Sequence, residues 1–289
     1  MSEIIPASEP LIRLTAFLCV LAIMVALEAV LPRRRRQIPQ LLRWTNNLAL
    51  LVIDTVVLRV AFPILAVGAA MIAAEQGWGL FNLIGLPDWL AILLTVTILD
   101  FAVYAQHVLF HRVPWFWRIH RLHHADLDFD VTTALRFHPL EIVLSMLIKM
   151  AVVVLLGAPP AAVAIFEILL NATAMFNHAN LRLPIEADRI LRRLVVTPDM
   201  HRVHHSVRRE ETNSNYGFNL SCWDRLFGTY CAQPRDGHEA MKIGIEQFRT
   251  PRDLWLDRML VQPFTGPASA VSGDTPHSEP DRIPMEFKA

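Results

Sequence analysis

The chain has 289 residues, 53% of them hydrophobic, a mean hydropathy of +0.35 and no formal net charge. That is too apolar for an ordinary soluble protein of this length and reads as a membrane protein. The balanced charge, with no basic stripe interleaved with aromatics, excludes nucleic acid as a partner, and Cys19, Cys222 and Cys231 lack the paired spacing of a disulfide framework or zinc ribbon.

In chain order, Leu11–Leu31 is apolar and long enough to span a bilayer, and reads as an anchor because the basic cluster follows it. Leu48–Ala74 is a second span; its Asp54 and Arg59 are expected to pair or to face the bundle interior. Trp89–Phe110 is the third. Leu140–Gly157 and Ala161–Asn177, separated only by Ala158-Pro159-Pro160, form a tight hairpin that need not cross fully. Pro114 suits the first turn of a helix over Trp115–Ala125. Thr197-Pro198-Asp199 reads as the cap and first turn of another helix, and a short one starts at Leu183-Pro184 and runs to about Val195. Beyond Gln262 the chain is rich in Pro, Ser and Gly and reads as a disordered tail.

Arg33–Arg36 and Arg43 lie between spans one and two, residues 75–88 carry no Lys or Arg, and basic residues return after span three and after His178. The positive-inside rule then puts the N-terminus outside and the C-terminus in the cytoplasm. Lysine occurs only at Lys149, Lys242 and Lys288 amid abundant arginine, as in a GC-rich bacterial genome, so the expected location is a bacterial inner membrane.

Ten of the twelve histidines fall between His107 and His205, and the arginine-derived topology brings all ten to one membrane face. His107 and His111 form HxxxH; His120, His123 and His124 form HxxHH; His201, His204 and His205 form a second HxxHH; His138 and His178 stand alone. Positions i, i+3 and i+4 share a helical face, and imidazole is the commonest protein metal ligand. Eight clustered rings exceed the needs of one ion, so a two-metal site is expected. Ligand type alone leaves iron, zinc and copper open. Hydrolytic zinc is disfavoured because neither HxxHH carries the glutamate of HExxH. His138, before a proline, is open to a helix-capping role and His178 to an interfacial hydrogen bond; His238 and His277 are read as non-ligands.

These segments resemble the fatty acid hydroxylase superfamily, and within it the sterol desaturase-like branch. The resemblance rests on Asp100–His111 (DFAVYAQHVLFH), Trp117–His124 (WRIHRLHH), Thr133–Glu141 (TALRFHPLE), Phe176–Asn180 (FNHAN), Thr197–Ser206 (TPDMHRVHHS) and Asn213–Tyr230 (NSNYGFNLSCWDRLFGTY), in the family's order. It implies an all-α integral membrane bundle whose cytoplasmic helical cap holds a histidine-rich dimetal site. Residues 1–88 would be N-terminal spans and linker, 89–235 the catalytic domain and 236–289 a polar, partly disordered extension. The implied activity is hydroxylation or desaturation of a lipid C–H bond, with O2 as co-substrate and two iron ions as cofactor, although enzymes of this kind can be isolated with zinc. The implied ligands are His107, His111, His120, His123, His124, His201, His204 and His205, with His138 and His178 at or beside the metals.

Asp100, Asp199 and Asn215 are candidate acceptors for ligand N–H groups. No dinucleotide fingerprint, iron–sulfur cysteine set or haem domain is evident, so a separate electron-donor protein is expected on the cytoplasmic face, steered by Arg118, Arg121, Arg192 and Arg193. The competing readings are a membrane haem protein, for which the histidines lie at span ends rather than facing within spans, and a non-enzymatic membrane metal-binding or metal-transport protein.

Overall fold

The computed structural model describes residues 9–266, and among these the ordered elements are helices, with isolated bridges in place of strands. The long helices are α1 (Glu9–Val30), α2 (Gln40–Ala61), α5 (Asp88–Arg112), α7 (Pro139–Leu156) and α8 (Pro160–Asn177). The shorter α3 (Ala66–Gln76) and α4 (Leu80–Ile84) complete the bundle, and α6 (Pro114–His124), α9 (Ile185–Leu191) and α10 (Pro198–His204) belong to a cap. Among the described residues, five segments are long and apolar enough to cross a membrane: α1, Gln40–Ile84, α5, α7 and α8. At 1.5 Å per residue α1 and α2 are each ~33 Å long and α7 and α8 ~27 Å, against a hydrocarbon layer of about 30 Å.

Local chemistry sets the breaks. The expected single span over Leu48–Ala74 is divided, because Phe62 precedes Pro63 and is held extended (φ −125°, ψ 115°), a conformation that ends α2. Asp54 turns into the interior, while Arg59 is exposed and does not pair with it. Gly157 closes α7 in the left-handed conformation and Pro160 opens α8 at its first turn, giving the tight hairpin. The bundle core is small and aliphatic: Ala66 and Ala70 of α3, Leu99 of α5, Val153 of α7 and Phe166 of α8 pack together.

The two ends of the bundle are distinct. At one, the α3–α4 link touches the hairpin tip so closely that a Cβ on Gly79 would lie 2.0 Å from the Gly157 nitrogen. At the other, the α1–α2 link joins the segment after α8 (Arg33 N–H to Asn180 O, 3.0 Å; Arg182 N–H to Leu31 O, 2.8 Å). Exposed Trp78 and Trp89 lie at the first end and exposed Trp115 and Trp255 at the second, as aromatic belts do at the two faces of a bilayer.

The loop after α6 is locked to α2 by a fully buried ion cluster. Arg43 donates to both carboxylate oxygens of Asp126 (2.8 and 2.7 Å), to Asp130 (2.5 Å) and to Thr133 (3.1 Å). Burial pushes the Asp126 carboxyl up, but the Arg43 guanidinium more than offsets this and holds it down at about 2. Glu28 of α1 accepts from the backbone of Val131 and of Asn180, both at 2.7 Å, tying the same loop to the end of α8. Residues 236–266 belong to the same packed unit: Met241 and Ile243 cluster with Phe129, and Met259 with Leu50 and Leu122. The part of the expected tail beyond Gly266 lies outside the described residues.

Two stability changes are expected from these contacts. Gly79→Ala drives a Cβ into the Gly157 backbone and lowers the melting midpoint in detergent clearly more than Gly85→Ala, which meets nothing within 4 Å and costs about 1–2 kcal/mol of left-handed strain. Arg43→Met strands two buried carboxylates and costs about 3–5 kcal/mol, read as loss of the monodisperse peak in fluorescence-detected size exclusion.

Candidate metal centre

Nine of the ten histidines between His107 and His205 converge in two adjoining groups. His107, His111, His120, His124 and His204 form one; His123, His178, His201 and His205 form the other; within each group one nitrogen per ring lies within 4.8 Å of all the rest. His107 and His111 come from the last turns of α5, His120, His123 and His124 from α6, His178 from the C-cap of α8, and the final three from α10 and its C-cap. The two HxxHH motifs are used as mirror images. From α6 the i, i+4 pair His120 and His124 enters the first group and the i+3 residue His123 the second. From α10 the i, i+4 pair His201 and His205 enters the second group and His204 the first. Each motif therefore bridges both groups rather than serving one. The groups meet where the His124 and His205 rings stack, 4.6 Å between centroids and 18° between planes.

Hydrogen bonds fix which nitrogen faces inward. His107 Nδ1 lies 2.7 Å from Tyr216 O, His204 Nδ1 2.6 Å from Ser214 O and His178 Nδ1 2.8 Å from Ala174 O. His120 Nδ1 lies 2.7 Å from Glu141 Oε1, and His111 Nδ1 3.3 Å from Asn213 Oδ1. A carbonyl or carboxylate only accepts, so in a neutral ring facing one the proton is on Nδ1 and the Nε2 lone pair points inward. The inward nitrogens meet closely: His107 Nε2 is 3.1 Å from His120 Nε2 and 3.0 Å from His204 Nε2, and His178 Nε2 is 3.1 Å from the Nε2 atoms of His123 and His201. For His107 with His120 and His204 neither partner has a proton to share. The inward nitrogens of His111 and both nitrogens of His124 and His205 have no hydrogen-bond partner, although buried. Such atoms are costly to bury unpaired.

Burial, reinforced in most cases by neighbouring imidazoles, holds His123, His124, His201, His204 and His205 well below their ordinary value, and pushes His120 and His178 down to about 3. The cap therefore presents uncharged nitrogen donors, the form that binds metal. The donor set fits a pair of cations: buried, neutral, convergent and satisfied by nothing else.

Other residues fall differently from expectation. His138 joins neither group: its Nδ1 accepts from Leu140 N–H (3.1 Å), capping α7, and its Nε2 lies 3.2 Å from Leu260 O, so both nitrogens are engaged. His238 is buried against Gln233, and His277 lies outside the described residues. Asp100 accepts from Leu220 N–H (3.2 Å) and Trp223 Nε1 (2.8 Å), not from a ligand ring. Asp199 pairs with Arg202 and Arg33. Asn215, held at φ +50°, bonds Met200 O and the Cys231 backbone. All three shape the cap rather than receive a ligand proton. The proposed steering cations are also corrected. Arg121 is buried and donates to Gln262 O at 2.5 Å and to Thr265 O, and Arg192 is buried against Asp188 and Ala232 O, so both are structural.

Sequence reasoning missed the acceptors. Glu141 stood only as the last residue of the Thr133–Glu141 motif, with no role assigned, and the Ser214 and Tyr216 carbonyls carry no side-chain signature. Asp224 holds that loop in place, accepting from Tyr216 N–H (2.7 Å) and Gly217 N–H (2.9 Å). Burial is the main influence on its carboxyl, which is raised to about 6. Gly217 is required there, since a Cβ would lie 2.9 Å from Asp224 Oδ2.

Residues 92–229 match the family model for fatty acid hydroxylase. The chain is 32% identical over 152 residues to an ornithine lipid hydroxylase of Rhizobium tropici, a match covering 52% of this chain and 44% of that one. It is 30% identical over 164 residues to the alkylglycerol monooxygenase of Homo sapiens, covering 54% and 34%. It is also 30% identical over 175 residues to a fatty acid hydroxylase of a Lecanicillium species, covering 56% and 47%. The chain thus spans between a third and a half of the length of these relatives. No solved structure matches it significantly. The match over 92–229 takes in just under half of the chain and contains every residue of the two histidine groups, so that across the site this chain is similar to the fatty acid hydroxylase family.

Proposed function

We propose that this protein is an O2-dependent, non-haem di-iron lipid hydroxylase. The observation that carries the reading is the pair of buried histidine groups whose ring nitrogens converge at 3.0–3.1 Å, with Nδ1 of His107, His120, His178 and His204 held by outward acceptors. His107, His111, His120, His124 and His204 would hold one ion; His123, His178, His201 and His205 the other. Iron suits an all-imidazole set. The relatives are named as hydroxylases and monooxygenases of lipids, which favours hydroxylation over desaturation and a lipid taken from the membrane.

When bound, the irons would supply O2 activation; the overall change is RH + O2 + 2e⁻ + 2H⁺ → ROH + H2O, with electrons from a separate donor. The chain's own residues do the rest. Glu141 and the Tyr216, Ser214 and Ala174 carbonyls fix the tautomer and aim of four rings. Phe137 lies flat on the His123 ring (4.5 Å, 8°) and Phe218 packs on His107 (5.2 Å) and His201 (5.8 Å), closing the site to water with apolar surface. The part-buried Val103 and Leu170, packed with Phe137 and α1, extend that surface into the bundle, where an acyl or alkyl chain would lie.

Purified protein should carry about two iron ions per chain by mass spectrometry, and expression should add an O2-dependent hydroxylated species to the host lipidome. His204→Ala and His123→Ala, one from each group, should abolish that product and lower metal content while the protein still inserts and remains monodisperse. Full product formation by His204→Ala would sink the reading. Glu141→Gln keeps the shape but frees the His120 proton from its carboxylate, and should weaken metal retention about 10–100-fold, measured by competition with a chelator.

A further inference from the structure

We propose that one flank of the cap, residues 185–194 together with 220–228, is a docking surface for the bilayer itself: it lies in the leaflet on the histidine side rather than above it. The first observation is depth. Leu220 and Trp223 donate to Asp100, Phe227 stacks on Phe101 (5.8 Å, 28°), Trp223 tilts against Phe101 (5.1 Å), and Thr229 meets Tyr104 at 3.0 Å. Asp100 is twelve residues before Arg112 at the end of α5, ~18 Å back along the helix axis. The segment 220–229 therefore runs beside the membrane-crossing part of α5, not beyond its end.

The second observation is what this flank shows to the outside. Leu226 is 69% exposed, Phe227 52%, Leu194 71% and Ile190 62%. The two stretches form one surface, since Ser221 N–H donates to Leu194 O (3.1 Å) and Val195 bridges Leu220. A contiguous apolar patch on a cap facing only water would be anomalous, whereas beside a span it continues the lipid-facing side of α5. The third observation is charge: Arg182 and Arg193 are exposed along the same stretch, beside an Arg189–Glu186 ion pair (2.6 Å), and their guanidinium groups complement anionic headgroups while apolar side chains enter the acyl layer.

The test uses the full chain with Cys19, Cys222 and Cys231 replaced by serine, in vesicles of phosphatidylcholine and phosphatidylglycerol with or without bromine on the acyl chains. Bimane is attached in turn to Leu226→Cys, Leu194→Cys and Glu210→Cys, the last an exposed acidic position of the cap. Brominated lipid should quench the first two by about twofold or more and leave the third unchanged, as expected for an interfacial element. Unquenched labels at both 226 and 194, with free reaction toward a water-soluble maleimide, would overturn the proposal. So would protection without quenching together with cross-linked pairs of chains, which would make a second copy the occupant.

Discussion

Nine imidazoles packed ring against ring inside a fold are not a stable arrangement by themselves. The inward lone pairs of His107, His120 and His204 face one another, and several buried nitrogens have no donor or acceptor to face. A cation at the centre of each group would relieve this, and the cap is built to be able to hold one there, much as a zinc finger is built for its ion. Every other feature of the cap can be read as a means of bringing these rings, from four separate stretches of chain, to one place and keeping solvent away from them.

The means are layered. Helix spacing brings three rings at a time from α6 and α10. The Arg43–Asp126–Asp130 cluster and Glu28 then fasten the loop after α6 to the first two spans and to the end of α8. This gives the N-terminal helices a role beyond anchoring: they are the frame against which the cap is held. A third layer, the Ser214–Phe218 loop braced by Asp224, supplies carbonyls that orient His107 and His204. The bundle beneath contributes packing and lipid-facing surface, and little chemistry.

Much of this was legible in the chain. The paired HxxHH and HxxxH spacings announced the metal groups, proline and glycine marked the α7–α8 hairpin, and Pro114 and Thr197-Pro198 located the helices carrying the motifs. What was not legible is what depends on backbone carbonyls or on side chains far apart in sequence. Tyr216 O and Ser214 O leave no trace in residue identity. Asp100 lies on the same helical side as His107, yet its partner is Trp223, more than a hundred residues on. His138 looked like its neighbours in composition, but a histidine before proline can satisfy itself by capping a helix and bonding one carbonyl, as it does here. Arg121 and Arg192 read as surface charge because sequence alone does not reveal which arginines a fold surrounds with carbonyl oxygens.

The two histidine groups differ in one respect that bears on handling the protein. Only His111 is partly exposed; the other eight rings are buried. The outer edge of its group is therefore a single ring beside the exposed Asn213 side chain, its inward nitrogen still buried, while no ring of the four-ring group reaches the surface. An ion would leave or enter the five-ring group by a rotation of one side chain, but the four-ring group only by opening the cap.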